Sequence, residues 1–384
     1  MKGSIRQRGN TYTALWSAAD PATGKRHQAS QGGFKTKREA QTHLNKMLTA
    51  VDDGTFVRPT KLTLGAFLVD RWLPTLRNEL RPATIALYEG AVTTYIIPRL
   101  GGTPLRAITP PQLLAFYAEL AESGRAKTGK GLSPRSVQLV HVALNKALRA
   151  AVEWDLLPTN PAAKARPPKP PKPEQTVWSG ATVRAFLAAA EAENDRLRAL
   201  WLLAITSGMR RGELLGLRWD DVDLDGAALR IRRARVSVNH AVLESLPKTA
   251  KSARSLALDP HTVTVLRSHR KRQLEDRLAA GEAWTETGLL FVDALGEPLH
   301  PTSLTRTFKR ATARAGLPVV RLHDLRHAYA TAALEAGVPL KVVSELLGHA
   351  SIAVTADIYS HVSEELNRKS VEHVASFILG SAAG

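Results

Sequence analysis

The spacing of apolar residues predicts a different architecture for each of three successive stretches of the chain. Residues 11–17 alternate apolar and polar positions beside turn-forming residues, which predicts three short strands over residues 1–31. A helix is expected next, because Thr36 and Glu39 form a capping box and apolar residues then recur at helical spacing. Residues 1–58 are therefore predicted to be a small β-sheet packed on one helix.

The second stretch, residues 62–165, has the apolar spacing of helices throughout. Pro82 and Pro110 occupy positions typical of a first helical turn, and Gly124 can end the third helix. A long amphipathic helix is expected from Pro134 onwards, since valines, leucines and alanines recur on one face. This stretch is predicted to be an all-α domain of about four helices.

A proline-rich segment separates this region from the rest of the chain. Five of the ten residues from 166 to 175 are proline, which favours an extended polyproline conformation over a helix. The basic residues Arg166, Lys169 and Lys172 suit contacts with phosphates. A plain semi-rigid spacer explains the same composition, so both interpretations stay open.

The third stretch, residues 176–384, mixes the two periodicities and is predicted to be mainly helical with a small antiparallel sheet. The chain as a whole is thus expected to be a multidomain α+β protein. Strands are predicted over 228–238, 243–246 and 255–258. Helices are predicted over 181–192, 196–206, 260–280, 303–314, 322–336 and 339–347.

Charge narrows the classes of partner. The 384 residues carry a formal net charge of +18, and residues 1–60, 61–165 and 166–384 each contribute +6. Such an even distribution suits a polyanion that contacts every domain. A basic tail would instead concentrate the positive charge at one end of the chain. A soluble basic protein with a solvated surface is the alternative. We expect nucleic acid as the partner once the motifs below are considered.

Composition also excludes several kinds of site. The chain has no cysteine, which excludes disulfides and thiolate metal sites. It has no apolar run of about 18 residues and no apolar core near its N-terminus, so neither a membrane span nor a signal peptide is expected. These features are those of a cytoplasmic protein that does not bind membranes.

Arg210 and Glu213 are three residues apart, a spacing that places two side chains on one face of a helical turn. Gly208 ends the preceding helix and allows a sharp turn there. The planar fork of Arg210 suits a phosphate oxygen, and Glu213 can hold that fork in place. A surface ion pair is the more common fate of this spacing.

His323 and Arg326 are also three residues apart, at the start of a predicted helix. Together they can donate two hydrogen bonds to one phosphate, and His323 can move protons near neutral pH. His323 and His327 also have the four-residue spacing of a zinc pair. Asp324 stands where a metalloprotease has glutamate, but it is one methylene shorter, and no third ligand is obvious.

His349 and Tyr359 complete this set near the C-terminus. Gly348 can close the helix over 339–347 and hold His349 at a tight corner. Tyr359 follows ten residues later, and a phenol becomes a usable nucleophile when cations stabilise its phenolate. Structural roles are the alternative for both residues. Because arginines neutralise a phosphate and a tyrosine can carry the covalent bond, the set suits metal-free attack on a phosphodiester.

Lys248 lies in a basic segment, Pro247 to Arg254, between two predicted strands. The tip of such a hairpin can reach into a groove of DNA and protonate a leaving 5′ oxygen. Lys251 or Arg254 can serve instead. The simpler alternative is an exposed hairpin that makes general contacts with phosphates.

These motifs, in this order, resemble the tyrosine recombinases of the phage integrase family. The resemblance covers nearly the whole chain and depends on residues 206–219 (TSGMRRGELLGLRW), 323–327 (HDLRH), 347–349 (LGH) and 355–361 (TADIYSH). It implies a catalytic set of Arg210, Glu213, Lys248, His323, Arg326, His349 and Tyr359, with Tyr359 as the nucleophile and no metal or other cofactor. It also implies an arm-type DNA-binding domain (1–58), a SAM-like core-binding domain (62–165), the linker (166–175) and a catalytic domain (176–384).

The resemblance further implies a reaction and an assembly. Tyr359 would form a 3′-phosphotyrosine and free a 5′ hydroxyl, and strand exchange would pass through a Holliday junction. The implied assembly is a homotetramer on two synapsed DNA duplexes, which carry core and arm attachment sites. The implied role is integration or excision of a phage or another mobile element. An excisionase and a DNA-bending host factor are partners of such systems. The apolar tail after residue 363 has helical spacing and can dock on a neighbouring protomer or on its own domain.

Two other functions use similar residues. A catalytically idle DNA-binding regulator on the same scaffold would bind DNA without cutting it, but the intact catalytic set argues against it. A type IB topoisomerase would nick and close DNA without exchange, but the separate arm-like domain argues against it. Both stay open until a reaction is measured.

Overall fold

The computed structural model describes residues 3–19, 26–52, 62–125, 128–171, 177–239, 241–245, 253–349, 351–356 and 375. The chain divides into two compact units, residues 1–172 and 173–384. Their boundary falls within the segment 166–175, and the described part of that segment, residues 166–171, belongs to no helix or strand. The further division of the first unit into two domains, near residues 58–62, stays a prediction.

The N-terminal region is an antiparallel sheet on one helix, as predicted. Strands β1 (Ser4–Arg8), β2 (Thr11–Ala19) and β3 (Arg26–Phe34) lie in the order β1-β2-β3. Helix α1 (Lys37–Asp52) follows the predicted capping box, in which the Glu39 amide donates to Thr36 Oγ1 at 3.2 Å. Trp16 and Leu44 form the centre of a small buried cluster between sheet and helix.

The remainder of the first unit is helical, as predicted. The first predicted helix comprises α2 (Leu64–Ala66), a π-helical segment Phe67–Trp72, α3 (Leu73–Thr75) and a 3₁₀ turn Leu76–Asn78. The second comprises α4 (Pro82–Ala91), a π-helical segment Val92–Ile96 and α5 (Ile97–Leu100). Helices α6 (Pro110–Ser123) and α7 (Pro134–Glu153) are the third and fourth. Their apolar faces share one buried core.

Apolar spacing did not predict the two π-helical segments. Each ends two residues before a proline, Pro74 in the first helix and Pro98 in the second. A proline has no N–H to donate to the carbonyl four residues earlier, and its ring collides with that carbonyl. A widened π turn at this point lets the helix continue past the proline.

The second unit contains eight further α-helices and five strands among its described residues. The helices are α8 (Gly180–Ala192), α9 (Arg198–Ser207), α10 (Arg211–Gly216), α11 (Pro260–Ala280), α12 (Pro301–Arg314), α13 (Asp324–Glu335), α14 (Leu340–Leu347) and α15 (Ile352–Ala356). The strands are β4 (Val222–Asp223), β5 (Ala228–Ile231), β6 (Ala234–Val238), β7 (Ala241–Ser245) and β8 (Arg254–Ala257). They form an antiparallel sheet β4-β5-β8 and a separate ribbon β6-β7. This mixture confirms the predicted fold class.

The single strand predicted over 228–238 is wrong. It is two strands in different sheets, β5 and β6, separated by Arg232 and Arg233. Both arginines lie within 4 Å of the buried carboxylate of Asp221, at 3.6 and 3.9 Å. β6 also packs its backbone against α10, a long-range contact that sequence periodicity does not encode.

The predicted hairpin around Lys248 is wrong in its pairing. The strands on either side, β7 and β8, do not pair with each other, since β7 pairs with β6 and β8 with β5. Lys248 itself lies outside the described residues. The segment 246–252 therefore joins two different sheets.

Helix α9 forms the centre of the second unit's core. Its residues Leu200, Trp201 and Leu203 are fully buried, and Trp201 packs against the ring of Phe308. A closely packed, buried α9 gives a firm base to the turn that follows it. Along the described ranges, no helix has the length and apolar character that crossing a bilayer requires.

Candidate active site

The site begins at a tight turn after α9. Gly208 ends that helix in the left-handed conformation, with φ of +58°. A Cβ atom there would lie 2.6 Å from Leu347 and from Tyr329, so the turn needs glycine for both its φ and its space. Two residues later Arg210 is the N-cap of α10, just outside the helical turn on which we expected it.

Glu213 fixes Arg210 from two sides. Its carboxylate accepts the Arg210 amide at 3.0 Å and Arg210 Nη1 at 2.7 Å. Glu213 is only 5% exposed, so the alternative of a surface ion pair is wrong. The predicted contact between the fork of Arg210 and Glu213 is thus present, and it starts helix α10.

Arg254 is a second partner of Glu213. Its Nη2 donates to Glu213 Oε2 at 3.1 Å, and its Nε donates to the Leu346 carbonyl at 2.6 Å. We had considered Arg254 only as a substitute for Lys248 at an exposed tip. That interpretation is wrong, because the Arg254 side chain is 8% exposed and opens strand β8.

Arg326 is buried between two backbone carbonyls. Its Nη1 donates to Gly208 O and its Nη2 donates to Leu347 O, both at 2.7 Å. Only 3% of the residue is exposed. Burial, followed by the charge of Arg210, lowers the pKa of Arg326 to about 9, which leaves it protonated at pH 7.

The C-terminal end of α14 brings these three arginines together. The carbonyls of Leu346, Leu347 and Gly348 accept hydrogen bonds from Arg254, Arg326 and Arg210 respectively. The last carbonyls of a helix lack partners within the helix and form the negative end of its dipole. We call Arg210, Arg254 and Arg326 the arginine cluster.

His349 follows directly after the arginine cluster's acceptors. Gly348 has φ of +65° and closes α14, as predicted, and the His349 amide donates to Ser344 O at 3.0 Å. The ring is oriented by a 2.7 Å hydrogen bond between Nδ1 and the hydroxyl of buried Thr355. Burial, and then the charges of Arg326 and Arg210, lower the pKa of His349 to about 4.

His323 is placed less tightly. It is the N-cap of α13 and is exposed. Desolvation and then the charges of His327 and Arg326 lower its pKa, although water weakens those charges at an exposed ring. His323 and His327 have ring centroids 5.3 Å apart, but no group of three metal-ligating residues occurs in the described part of the chain.

The electrostatics of the site suit an anion. Burial alone would raise the pKa of Glu213, but the charge of Arg254 and hydrogen bonds from Arg210 and Arg254 bring it below its ordinary value. Glu213 contacts the guanidinium groups of Arg210 and Arg254, and its charge also acts on Arg326, so one carboxylate is set against three cations and a positive excess remains. A neighbouring cavity of about 590 Å³ is lined in part by Arg254, Lys341 and His349.

The structure therefore brings together Arg210, Glu213, Arg326 and His349 of the predicted set, with His323 on the adjoining α13. Lys248 and Tyr359 lie outside the described residues. Sequence reasoning missed the buried role of Arg254 and the bond from Thr355 to His349. Arg254 lies in the basic segment after Lys248, and Thr355 opens the motif 355–361, but neither position reveals its long-range partner.

Comparisons with known proteins agree with this geometry. Residues 178–365 match the phage integrase family, residues 4–51 an arm DNA-binding domain, and residues 66–121 the N-terminal SAM-like domain of phage integrases. A curated relative, the XerC-like tyrosine recombinase of Caldanaerobacter subterraneus, is 33% identical over 88% of this chain and 89% of its own length.

Solved structures show the same fold. The integrase of transposon Tn1549, in complex with a circular intermediate DNA, has a TM-score of 0.68 at 17% identity and covers 82% of this chain and 100% of its own. A lambda integrase tetramer bound to a Holliday junction has a TM-score of 0.55 at 22% identity, with coverage of 93% and 94%. Given the curated relative's identity over nearly the full length of both proteins, the chain belongs to the phage integrase family.

Proposed function

We propose that this protein is a site-specific DNA recombinase that cuts and rejoins DNA through a covalent phosphotyrosine. The observation that carries this proposal is the convergence of Arg210, Arg326 and His349 on the C-terminal end of α14. Two guanidinium groups and an imidazole at one point suit a phosphodiester whose charge increases during substitution at phosphorus.

The proposed reaction begins with attack of the Tyr359 hydroxyl on the scissile phosphorus. A bond from Tyr359 Oη to phosphorus forms, and the phenolic proton passes to a neutral imidazole of the site, His323 or His349. The bond from phosphorus to the 5′ oxygen breaks, and Lys248 protonates that oxygen. Arg210 and Arg326 balance the negative charge of the phosphate in both steps. The 5′ hydroxyl of a partner strand then reverses the reaction and releases Tyr359, so no external energy source is consumed.

Glu213, His323 and His349 would support that chemistry. Glu213 holds the Arg210 fork, as its two contacts with that residue indicate. His349 is neutral at pH 7 and can donate a hydrogen bond to a phosphate oxygen or exchange a proton with it. His323 has a similar capacity at the start of α13.

The proposed partners follow from the substrate. Exchange between two duplexes cuts four strands, which suits a homotetramer with one active site for each strand. The N-terminal sheet region would bind arm sites, and the helical region would bind core sites. Because the substrate is chromosomal DNA, the enzyme would act in the bacterial cytoplasm. An excisionase and a DNA-bending host factor complete the proposal for a phage or another mobile element.

A nicked suicide substrate tests the proposal. Wild-type protein should form a covalent complex that survives denaturation, whereas Tyr359→Phe should bind the same DNA and form none. Tyr88→Phe is the matched control, because Tyr88 stacks on Trp72 in the helical region and belongs to the other compact unit. A full yield of covalent complex from Tyr359→Phe would rule out the assigned nucleophile.

Two further assays separate the alternatives. A catalytically idle regulator would bind DNA, yet the wild-type protein would give no covalent complex with the suicide substrate. A type IB topoisomerase would give the complex and relax supercoils, yet it would not join two differently labelled duplexes. Recombinant product from those duplexes is the result expected here.

A further inference from the structure

We propose that Arg254 is a positioning residue of this active site, which sets the geometry of Arg210 and of the α14 end by bridging Glu213 and the Leu346 carbonyl. The proposal rests on the proposed function, since it assigns a role within the same reaction. Arg254 lies outside the predicted catalytic set, and its contacts are with protein groups.

The first argument is the shared carboxylate. Glu213 Oε1 accepts Arg210 Nη1, and Glu213 Oε2 accepts Arg254 Nη2. Each arginine thus orients the carboxylate for the other. Without Arg254, Glu213 Oε2 keeps only the Arg210 amide, so the carboxylate and the plane of the Arg210 fork are held less firmly.

The second argument is the position of the other end of the bridge. Arg254 Nε donates to Leu346 O at 2.6 Å, next to the carbonyls that Arg326 and Arg210 hold. His349 begins three residues after Leu346. One buried side chain therefore connects the helix that begins at Arg210 with the chain segment that carries His349.

The third argument is the location of Arg254 in the sheet. It is the first residue of β8 and pairs with Ile231 of β5, so its backbone is anchored. Six residues earlier in sequence comes Lys248, the proposed proton donor. Arg254 thus fixes one end of the segment that carries that donor.

Arginine suits this role better than lysine. Nε and Nη2 of one rigid guanidinium reach two acceptors on different elements, whereas an ammonium presents a single nitrogen. The buried carboxylate also needs a permanent positive charge beside it. Among the interactions that lower the pKa of Glu213, the charge of Arg254 is the largest, which agrees with this pairing.

The test measures single-turnover formation of the covalent complex on the suicide substrate, together with affinity for the same DNA. Arg254→Met should slow the covalent step by about 100-fold, because small displacements of catalytic groups have effects of that order. Its DNA affinity should stay within about threefold of wild type, since Arg254 touches no DNA in this proposal. Arg254→Lys should recover part of the lost rate.

Arg267→Met is the matched control. Arg267 pairs with exposed Asp225 on the surface of the same unit, so its loss removes an equal charge without touching the site. Circular dichroism and DNA binding report whether each variant is folded. If Arg254→Met does not fold, the double variant Glu213→Gln/Arg254→Met is used in its place, because it removes both buried charges. Its rate is then compared with that of Glu213→Gln.

A double-mutant cycle and a pH profile separate positioning from simple stabilisation. In a Glu213→Gln background, Arg254→Met should cost clearly less rate than in wild type, because the two act as one unit. The acid limb of the rate profile should move to higher pH in Arg254→Met, because the pKa values of Glu213 and His349 both rise. It should move less in the double variant, where only His349 responds. Additive losses, an unmoved acid limb, or a wild-type rate for Arg254→Met would overturn the proposal.

Failure of the proposed function would look different. In that case wild-type protein itself would form no covalent complex. A normal wild-type yield with an Arg254→Met rate equal to that of Arg267→Met would leave the recombinase proposal standing and remove only this inference.

Discussion

Arg326 donates a 2.7 Å hydrogen bond to the carbonyl of Gly208, and so one candidate phosphate ligand holds the turn from which the other, Arg210, projects. The two arginines are 116 positions apart in the sequence. Their relative placement depends on the Gly208 carbonyl. That carbonyl keeps its position only if Gly208 stays in the left-handed conformation.

Gly208→Ala should therefore be destabilising by about 2–4 kcal/mol, because it adds strain at positive φ to a collision with Leu347 and Tyr329. It should also slow covalent-complex formation. Gly180→Ala is the control, since a Cβ there meets nothing closer than 3.5 Å. Denaturant unfolding measures both variants, and equal stabilities would contradict the assigned role of the turn.

Glu213→Ala should cost about 3–5 kcal/mol of unfolding free energy, because it leaves the buried Arg254 without its carboxylate. Glu275→Ala breaks a 4.0 Å pair with exposed Lys271 and should cost less than about 0.5 kcal/mol. The comparison uses one unfolding assay for both variants. A small loss for Glu213→Ala would mean that Arg254 finds another acceptor.

His349 should titrate near pH 4 in the DNA-free protein, well below the ordinary value of 6.5. The folded state disfavours the imidazolium, so the unfolded chain binds a proton first. Its effect on stability is absent above pH 6.5, and stability falls as the pH drops from there towards 4. Histidine-selective NMR, with His349→Gln for assignment, measures the midpoint. Arg210→Gln should raise it, and a midpoint near 6.5 in wild type would contradict the assigned electrostatics.

DNA affinity should fall steeply with salt. If about six or more phosphates are contacted, the dissociation constant should rise about 1,000-fold between roughly 50 and 200 mM salt. The even spread of the +18 charge predicts that deletion of any one region lowers the slope. Fluorescence anisotropy over a salt series measures it. A flat response would refute the argument from charge.

Local signals in the sequence predicted the helices well. The bounds of α11 match the prediction, 260–280, because Asp259 caps the helix and Pro260 starts it. α1 began where Thr36 and Glu39 placed it, and Gly208 and Gly348 ended α9 and α14. Each of these signals acts within one turn of the residue that carries it.

The parts that sequence did not predict depend on distant partners. Arg254 meets Leu346 across 92 positions and Glu213 across 41, so its role is set by the packed fold. The break between β5 and β6 likewise depends on Asp221 and α10. The sequence also did not predict which groups accept hydrogen bonds from the arginine cluster. Three of these acceptors are backbone carbonyls at the end of α14.

Helix α10 lies so close to β6 that a Cβ on Gly212 would sit 2.9 Å from the Arg235 carbonyl, and one on Gly216 would sit 3.0 Å from the Arg233 carbonyl. The helix that carries Glu213 thus rests on main-chain atoms of the ribbon. A library of substitutions at outward-facing side chains of β6 and β7 would accordingly leave helix α10, and with it Glu213, in place. The two glycines are the positions that such a library must leave untouched.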